Sequence, residues 1–137
     1  MPVTNSSCFL DSNVLLYLLS GDAAKADRVE QLLKTRPVIS VQVLNEVTHV
    51  CRRKLGMGWQ EIAGFLELVR RLCKVVPLTE AIHDQGRVMA ERHRMAFYDA
   101  CIAAAAAMAG CQTLYSEDMN DGQALEGSLT IRNPFRA

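Results

Sequence analysis

The chain has 137 residues, 50% of them hydrophobic and 22% charged, with 15 Lys and Arg balanced by 15 Asp and Glu. That composition excludes intrinsic disorder, and a formal charge of zero excludes binding to nucleic acid or membrane through excess cation alone. The length suits one domain over residues 1–137, and the zero is a cancellation, because residues 31–94 carry 11 basic and 6 acidic groups while both flanking segments are acidic.

In chain order, Cys8-Phe9-Leu10 is a short apolar run ending in Asp11-Ser12-Asn13, a strand giving way to a helix N-cap. Helical sequence follows to Leu19 and breaks at Ser20-Gly21-Asp22, and a second helix is predicted over 23–34. A strand at 37–39 leads to Ser40, which caps a helix over about 41–55 that Gly56 and Gly58 end. Trp59 opens a helix reaching about 72, and 74–76 is a third strand. Thr79 caps a helix through about 93; another over 96–109 is stopped by Gly110. Strands at 112–115 and 129–132 complete the reading. Short apolar strands alternating with helices predict an α/β sandwich, a parallel sheet covered on both faces.

Cys8, Cys51, Cys73, Cys101 and Cys111 are odd in number, lack CxxC spacing and lie in or beside apolar runs, the pattern of buried free thiols in a reducing compartment. MPVTNSSC at the start has no basic segment before an apolar one, so no signal peptide is expected. The apolar stretch 100–111 is too short to cross a bilayer. A cytoplasmic protein with no membrane partner is the expectation.

Ligands of open parallel sheets bind beyond the carboxyl ends of the strands. The first strand delivers Asp11 there, and the fourth delivers Ser116-Glu117-Asp118. Each acid also has a plainer reading, Asp11 as a cap and Asp118 as a turn residue. Two helical acids are harder to set aside. Glu46 shares a helix face with an apolar line through Val43, Val47 and Val50. Asp99 begins a helix apolar nearly all round, where a carboxylate needs a partner or a metal. Few Lys or Arg lie in these helices, so a metal site outranks a salt-bridge network. Carboxylates without His or Cys are hard oxygen donors that suit Mg²⁺ or Mn²⁺, in one or two ions, and so phosphodiester hydrolysis.

The segments Phe9-Leu10-Asp11-Ser12-Asn13-Val14-Leu15, Asn45-Glu46-Val47, Phe97-Tyr98-Asp99-Ala100 and Tyr115-Ser116-Glu117-Asp118-Met119-Asn120-Asp121-Gly122 together resemble the PIN domain, and most of all the VapC-type toxin ribonucleases of bacterial toxin–antitoxin pairs. The closing Ile131-Arg132-Asn133-Pro134-Phe135 resembles the end of those proteins as well. The resemblance spans essentially the whole chain. It implies a three-layer α/β/α sandwich with a mostly parallel four- to five-stranded sheet, and a Mg²⁺- or Mn²⁺-dependent endoribonuclease. Asp11, Glu46 and Asp99 match the family's principal acids and Asp118 its usual fourth, with Asp121 as a further candidate to hold a water or second ion. Ser12, where the family often has Thr, Asn13 and Ser116 resemble groups that orient the carboxylates. The resemblance also implies cleavage to a 5′-phosphate and a 3′-hydroxyl, a VapB-like antitoxin, and a homodimer, with the helices beyond Trp59 as its candidate interface; the amphipathic segments 14–19 and 23–33 are the candidate apolar docking surface for the antitoxin.

Basic clusters at Arg52-Arg53-Lys54, Arg70-Arg71-Lys74 and Arg87 with Arg92, His93 and Arg94 are candidates for RNA contact, with solvated helix ends as the plainer alternative. Arg92 and Arg94 rank first, being close to Asp99. Tyr98 is a candidate to stack on unpaired bases, whereas Trp59 at a helix start is read as core. Met108 and the Ala run are also read as core, and His49, His83 and His93 as packed or exposed rather than ligating. Three other functions are weighed. A phosphatase or phosphoacceptor domain using Asp11 lacks the second Asp of DxD and a Lys after the fourth strand. A catalytically silent RNA- or protein-binding module conflicts with the intact acid set, and a PIN nuclease outside toxin–antitoxin systems is the third. No residue selects the RNA, whether a transfer RNA or another.

Overall fold

A computed structural model describes residues 8–136. Five short strands, β1 (Cys8–Leu10), β2 (Val38–Ser40), β3 (Lys74–Val76), β4 (Thr113–Tyr115) and β5 (Thr130–Arg132), form one sheet in the order β3-β2-β1-β4-β5. Every pairing is parallel. The connections carry six helices: α1 (Ser12–Leu16), α2 (Ala23–Leu33), α3 (Val41–Arg53), α4 (Trp59–Leu72), α5 (Glu80–His93) and α6 (Phe97–Met108). Successive strand residues point to opposite faces, yet Phe9 and Leu10 are both fully buried, as is Ile39 beside the buried Val38. The sheet is therefore covered on both sides, the α/β sandwich that the alternation of elements predicts.

Local chemistry sets the element ends. Ser40 accepts from the amide of Val43, Thr79 from that of Ile82 and Asp22 from that of Lys25, each capping the helix that follows. α1 is shorter than predicted, because its last turn tightens into a 3₁₀ turn over Tyr17–Leu19 that Ser20 Oγ closes on Tyr17 O at 2.9 Å. Two expected core residues lie elsewhere. Trp59 is 61% exposed at the first position of α4, with the Arg52 guanidinium 4.9 Å from its ring centre. Met108 is exposed because burial of α6 ends at Ala106, two residues before the helix stops. On α3 the buried line runs through Val43, Val47 and Cys51, with Val50 only half-buried. Cys51, Cys73, Cys101 and Cys111 are buried and Cys8 is half-buried. Among the described residues no helix is long and apolar enough to cross a membrane.

The alanines of α6 allow close approach, and α5 uses it. A Cβ placed on Gly86 would stand 2.7 Å from Cys101 Sγ and 3.2 Å from its Cα. Gly86→Ala gains helix propensity but must push the two helices apart. The expected outcome is net destabilisation of about 1–2 kcal/mol, seen as a melting temperature lower by roughly 3–8 °C. An unchanged or raised melting temperature would show that α5 and α6 yield freely.

Candidate active site

The strand order places β1 between β2 and β4, so the connections leaving β1 and β4 part on either side of a crevice. Crevices of this kind, beyond the carboxyl ends of the strands, are where open α/β sheets bind ligands. Leu10 pairs with Tyr115, and the amide of Asp11 continues the ladder to Tyr115 O at 3.0 Å. Asp11 and Ser116 therefore leave their strands side by side. Asp11 takes the extended conformation of an N-cap, and its Oδ1 accepts from the amide of Ser12 at 2.7 Å. Its Oδ2 accepts from Ser116 Oγ at 2.8 Å and from Asn13 Nδ2 at 3.1 Å. Only 3% of Asp11 is exposed, and burial pushes its carboxyl from an ordinary value near 3.8 up to about 6. The hydrogen bonds pull it down in part, and the charges of Glu46 and Asp99 push it further up.

Three more acids face the same crevice. Glu46 projects from α3, with Oε1 accepting from Ser12 Oγ at 2.8 Å and Oε2 from Gln42 Nε2 at 3.2 Å. Gln42 lies one turn earlier and is itself buried, and its Nε2 also donates to Tyr98 O at 3.0 Å, tying α3 to the start of α6. Asp99 stands in the first turn of α6 and accepts no hydrogen bond from the described residues. Burial, and then the charges of Glu46 and Asp118, raise its pKa despite the helix N-terminus. Asp118 accepts from Asn13 Nδ2 at 3.2 Å, while Asn13 Oδ1 takes the amide of Glu117 at 3.1 Å. Ser116 Oγ accepts from the amides of Asp118 and Met119, both at 3.2 Å, which fixes the turn. Ser12, Asn13 and Ser116 thus all donate hydrogen bonds to the acids.

No Lys, Arg or His of the described residues forms an ion pair with any of these four carboxylates; the ion pairs lie elsewhere. Asp11, Glu46 and Asp118 are held by neutral donors, which position them but leave their charge in place. The donor set, oxygen only and short of positive charge, fits a hard divalent cation. It is an open set and not a closed cage, for no three acidic, His or Cys side chains of the described residues converge as a ligand cluster. Magnesium is commonly held this way, by one or two carboxylates with water and substrate oxygens completing the shell.

Several expected residues have other work. Asp121 does not join the set: its Oδ1 accepts from the amide of Asn133 at 2.8 Å and its Oδ2 faces Arg136 Nη1 at 3.7 Å, so it fastens the C-terminal segment. Arg92 is committed to Glu126, as is His93. Arg52 lies over Trp59 and donates to Met57 O at 3.1 Å. Arg53 and Arg94 form no ion pair among the described residues. Arg94, in the left-handed conformation (φ 55°) that ends α5, lines a small cleft of about 160 Å³ with Asp99 and Asp118. Sequence reasoning overlooked Gln42, although an amide four residues before Glu46 on a helix is a readable pairing. It also overlooked the support of Glu117, which accepts from Tyr17 and Lys25 and is held below its usual range by them. Those partners are about a hundred positions away, and no local signal joins them. A larger cavity of about 660 Å³ opens at the opposite end of the strands, between Cys8, Thr113 and Lys74, and has no acidic residue in its lining.

Since the folded Asp11 carboxyl titrates near 6 and the unfolded one near 3.8, the folded state holds the proton more tightly. Stability should therefore fall as pH rises from about 4 to 6, and remain lower above that range. In chelator-containing buffer, Asp11→Asn keeps a capping side chain and removes the buried charge. It is expected to be more stable than wild type by about 1–2 kcal/mol at pH 7.5, with the gain shrinking toward pH 4. Urea denaturation across that range checks it, and a less stable variant at pH 7.5 would contradict the electrostatic account.

The PIN domain family model matches residues 8–120. No curated protein sequence matches the chain significantly. Among solved structures, the chain is similar to a toxin–antitoxin complex from Klebsiella pneumoniae, at 18% identity over 96% of this chain and 100% of that one, with a TM-score of 0.70. It is similar to VapC20 of Mycobacterium tuberculosis, a sarcin–ricin loop cleaving toxin, at 21% identity over 83% and 92% of the two chains and a TM-score of 0.67. VapBC2 from Rickettsia felis, bound to a DNA fragment from its promoter, aligns at 18% identity over 93% and 98%, with a TM-score of 0.68. These likenesses concern the fold, and the family match covers β1 through the turn after β4, with all four acids inside it. The chain belongs to the PIN domain family.

Proposed function

We propose that this protein is a Mg²⁺- or Mn²⁺-dependent endoribonuclease, the toxin of a VapBC-type pair inhibited by a VapB-like antitoxin. The observation that carries this reading is the set of four carboxylates at the crevice without a cationic partner. Asp11, Glu46, Asp99 and Asp118 would hold one or two divalent ions, which supply activation of water and neutralisation of the scissile phosphate when bound. Ser116, Asn13 and the Ser12 amide keep Asp11 directed into the crevice. Ser12 and Gln42 hold the Glu46 carboxylate, which would orient the attacking water. Water oxygen bonds to phosphorus and the bond to the 3′-oxygen breaks, so the products carry a 5′-phosphate and a 3′-hydroxyl.

Support for an antitoxin comes from the relatives, among them a toxin–antitoxin complex and VapBC2. Leu16, Tyr17 and Leu18 are half-buried and Leu19 is exposed, giving a partner helix an apolar surface beside Glu117. The exposed Leu55, Trp59 and Leu68 supply an apolar surface for a homodimer. A cytoplasmic location and an RNA substrate, a transfer RNA among the candidates, complete the proposal.

The test is cleavage of RNA in Mg²⁺ or Mn²⁺, with chelator and Asp99→Asn as controls. Asp99→Asn is expected to lose at least the roughly 100-fold that outer-shell losses reach at metal sites, while its circular dichroism is unchanged. Divalent ion should also raise the melting temperature of wild type more than that of the variant. A variant that cuts as fast as wild type would remove Asp99 from the site.

A further inference from the structure

Beside the acids lies a second cavity of about 460 Å³, lined by Ser12, Gln42, Asn45, Glu46, His49, Val50, Leu78 and Tyr98, and mostly apolar at its surface. It shares Ser12 and Glu46 with the candidate active site, so whatever fills it lies against the acids. Its wall includes an unusual side chain: Tyr98 is 68% exposed although it sits one residue before Asp99 on a buried helix. The Tyr98 backbone is held by Gln42 at 3.0 Å, and its ring leans on Phe97, itself edge-on to His83, each pair with centres 5.6 Å apart. The Tyr98 ring is thus a solvent-facing aromatic surface in the wall of the cavity.

We propose that this cavity is a nucleobase subsite, in which Tyr98 stacks on one base of single-stranded RNA next to the scissile phosphate. The proposal rests on the nuclease reading above and adds to it where the substrate's base goes. Three observations select a base over other occupants. The cavity combines an aromatic face with apolar Leu78 and Val50 and with Asn45 and His49 as polar edge partners, the mixture that a flat ring with polar edges needs. The cleft on the other flank of the acids is smaller and contains Arg94, which suits sugar–phosphate and not a base. Helical spacing sets Arg53 on the face of Glu46 and Val50, and it forms no ion pair among the described residues, which leaves a cation on this flank for a neighbouring phosphate. The strand therefore enters with a base against Tyr98, a phosphate at the acids and backbone near Arg94.

The experiment first maps a cleavage position in an unstructured oligoribonucleotide with Mn²⁺. The kcat/KM is then measured for wild type, Tyr98→Phe and Tyr98→Ala on that RNA and on copies with an abasic nucleotide at either neighbour of the cut. Tyr98→Ala is expected to lose about 10- to 100-fold and Tyr98→Phe less than about 3-fold, since every base offers a face to an aromatic ring. One abasic copy should cost wild type a similar factor and cost Tyr98→Ala little more, as for two partners of one contact. Without relying on turnover, 2-aminopurine at that position should be quenched on binding to the Asp99→Asn chain and not to Asp99→Asn with Tyr98→Ala. Failure of wild type to cut any RNA overturns the nuclease reading itself. Cutting that is indifferent to Tyr98→Ala, with no quenching, overturns the subsite alone and leaves the cavity to a protein partner.

Discussion

The pairing of Leu10 with Tyr115 is the contact on which the site depends. It joins the first strand to the fourth across more than a hundred residues and brings Asp11 beside Ser116 at the point where the strand connections diverge. A carboxylate is thereby buried among neutral donors, with Glu46 and Asp99 close enough to raise its pKa further. Hydrogen bonds from Ser12, Asn13 and Ser116 meet the geometric needs of the oxygens, but they do not cancel the charge. Stability given up at such a place is the usual mark of a site selected for binding over folding. The centre of the sheet around it is apolar, with Phe9, Leu10, Val38, Ile39, Leu114 and Ile131 buried.

Most of the architecture is legible in the sequence because its signals are local. Asp11, Ser40 and Thr79 announce helix starts through their own side chains, and each caps the helix it precedes. Asp11 and Asp118 follow from connectivity, and Asp99 from its place beside an alanine-rich helix that has to be buried. What escapes is decided by tertiary neighbours. Asp121 is one loop beyond Asp118 in sequence, but the amide of Asn133 claims it. Arg92 looks free until Glu126 arrives from the far side of β4. Trp59 has the composition of a core residue, yet it sits at the solvent side of the first turn of α4, with the Arg52 guanidinium over its ring.

The crevice is asymmetric in chemistry. On the α3 side it is apolar and aromatic; on the side of α5 and the loop after β4 it is small and carries a cation. If the crevice takes RNA as proposed, that asymmetry would give the strand a direction as well as a place. On the proposed nuclease reading, a protein with no net charge would meet a polyanion through local cations such as Arg94 beside the acids and not through its total charge.

Gln42 links the two halves of this arrangement. Its one amide nitrogen serves both the Glu46 carboxylate and the Tyr98 carbonyl, so neither can shift without loosening or tightening the other. On the proposed reading, a base seated against Tyr98 and a phosphate beside Glu46 would both bear on this one buried amide, and thermodynamic linkage would make any coupling between them equal in both directions.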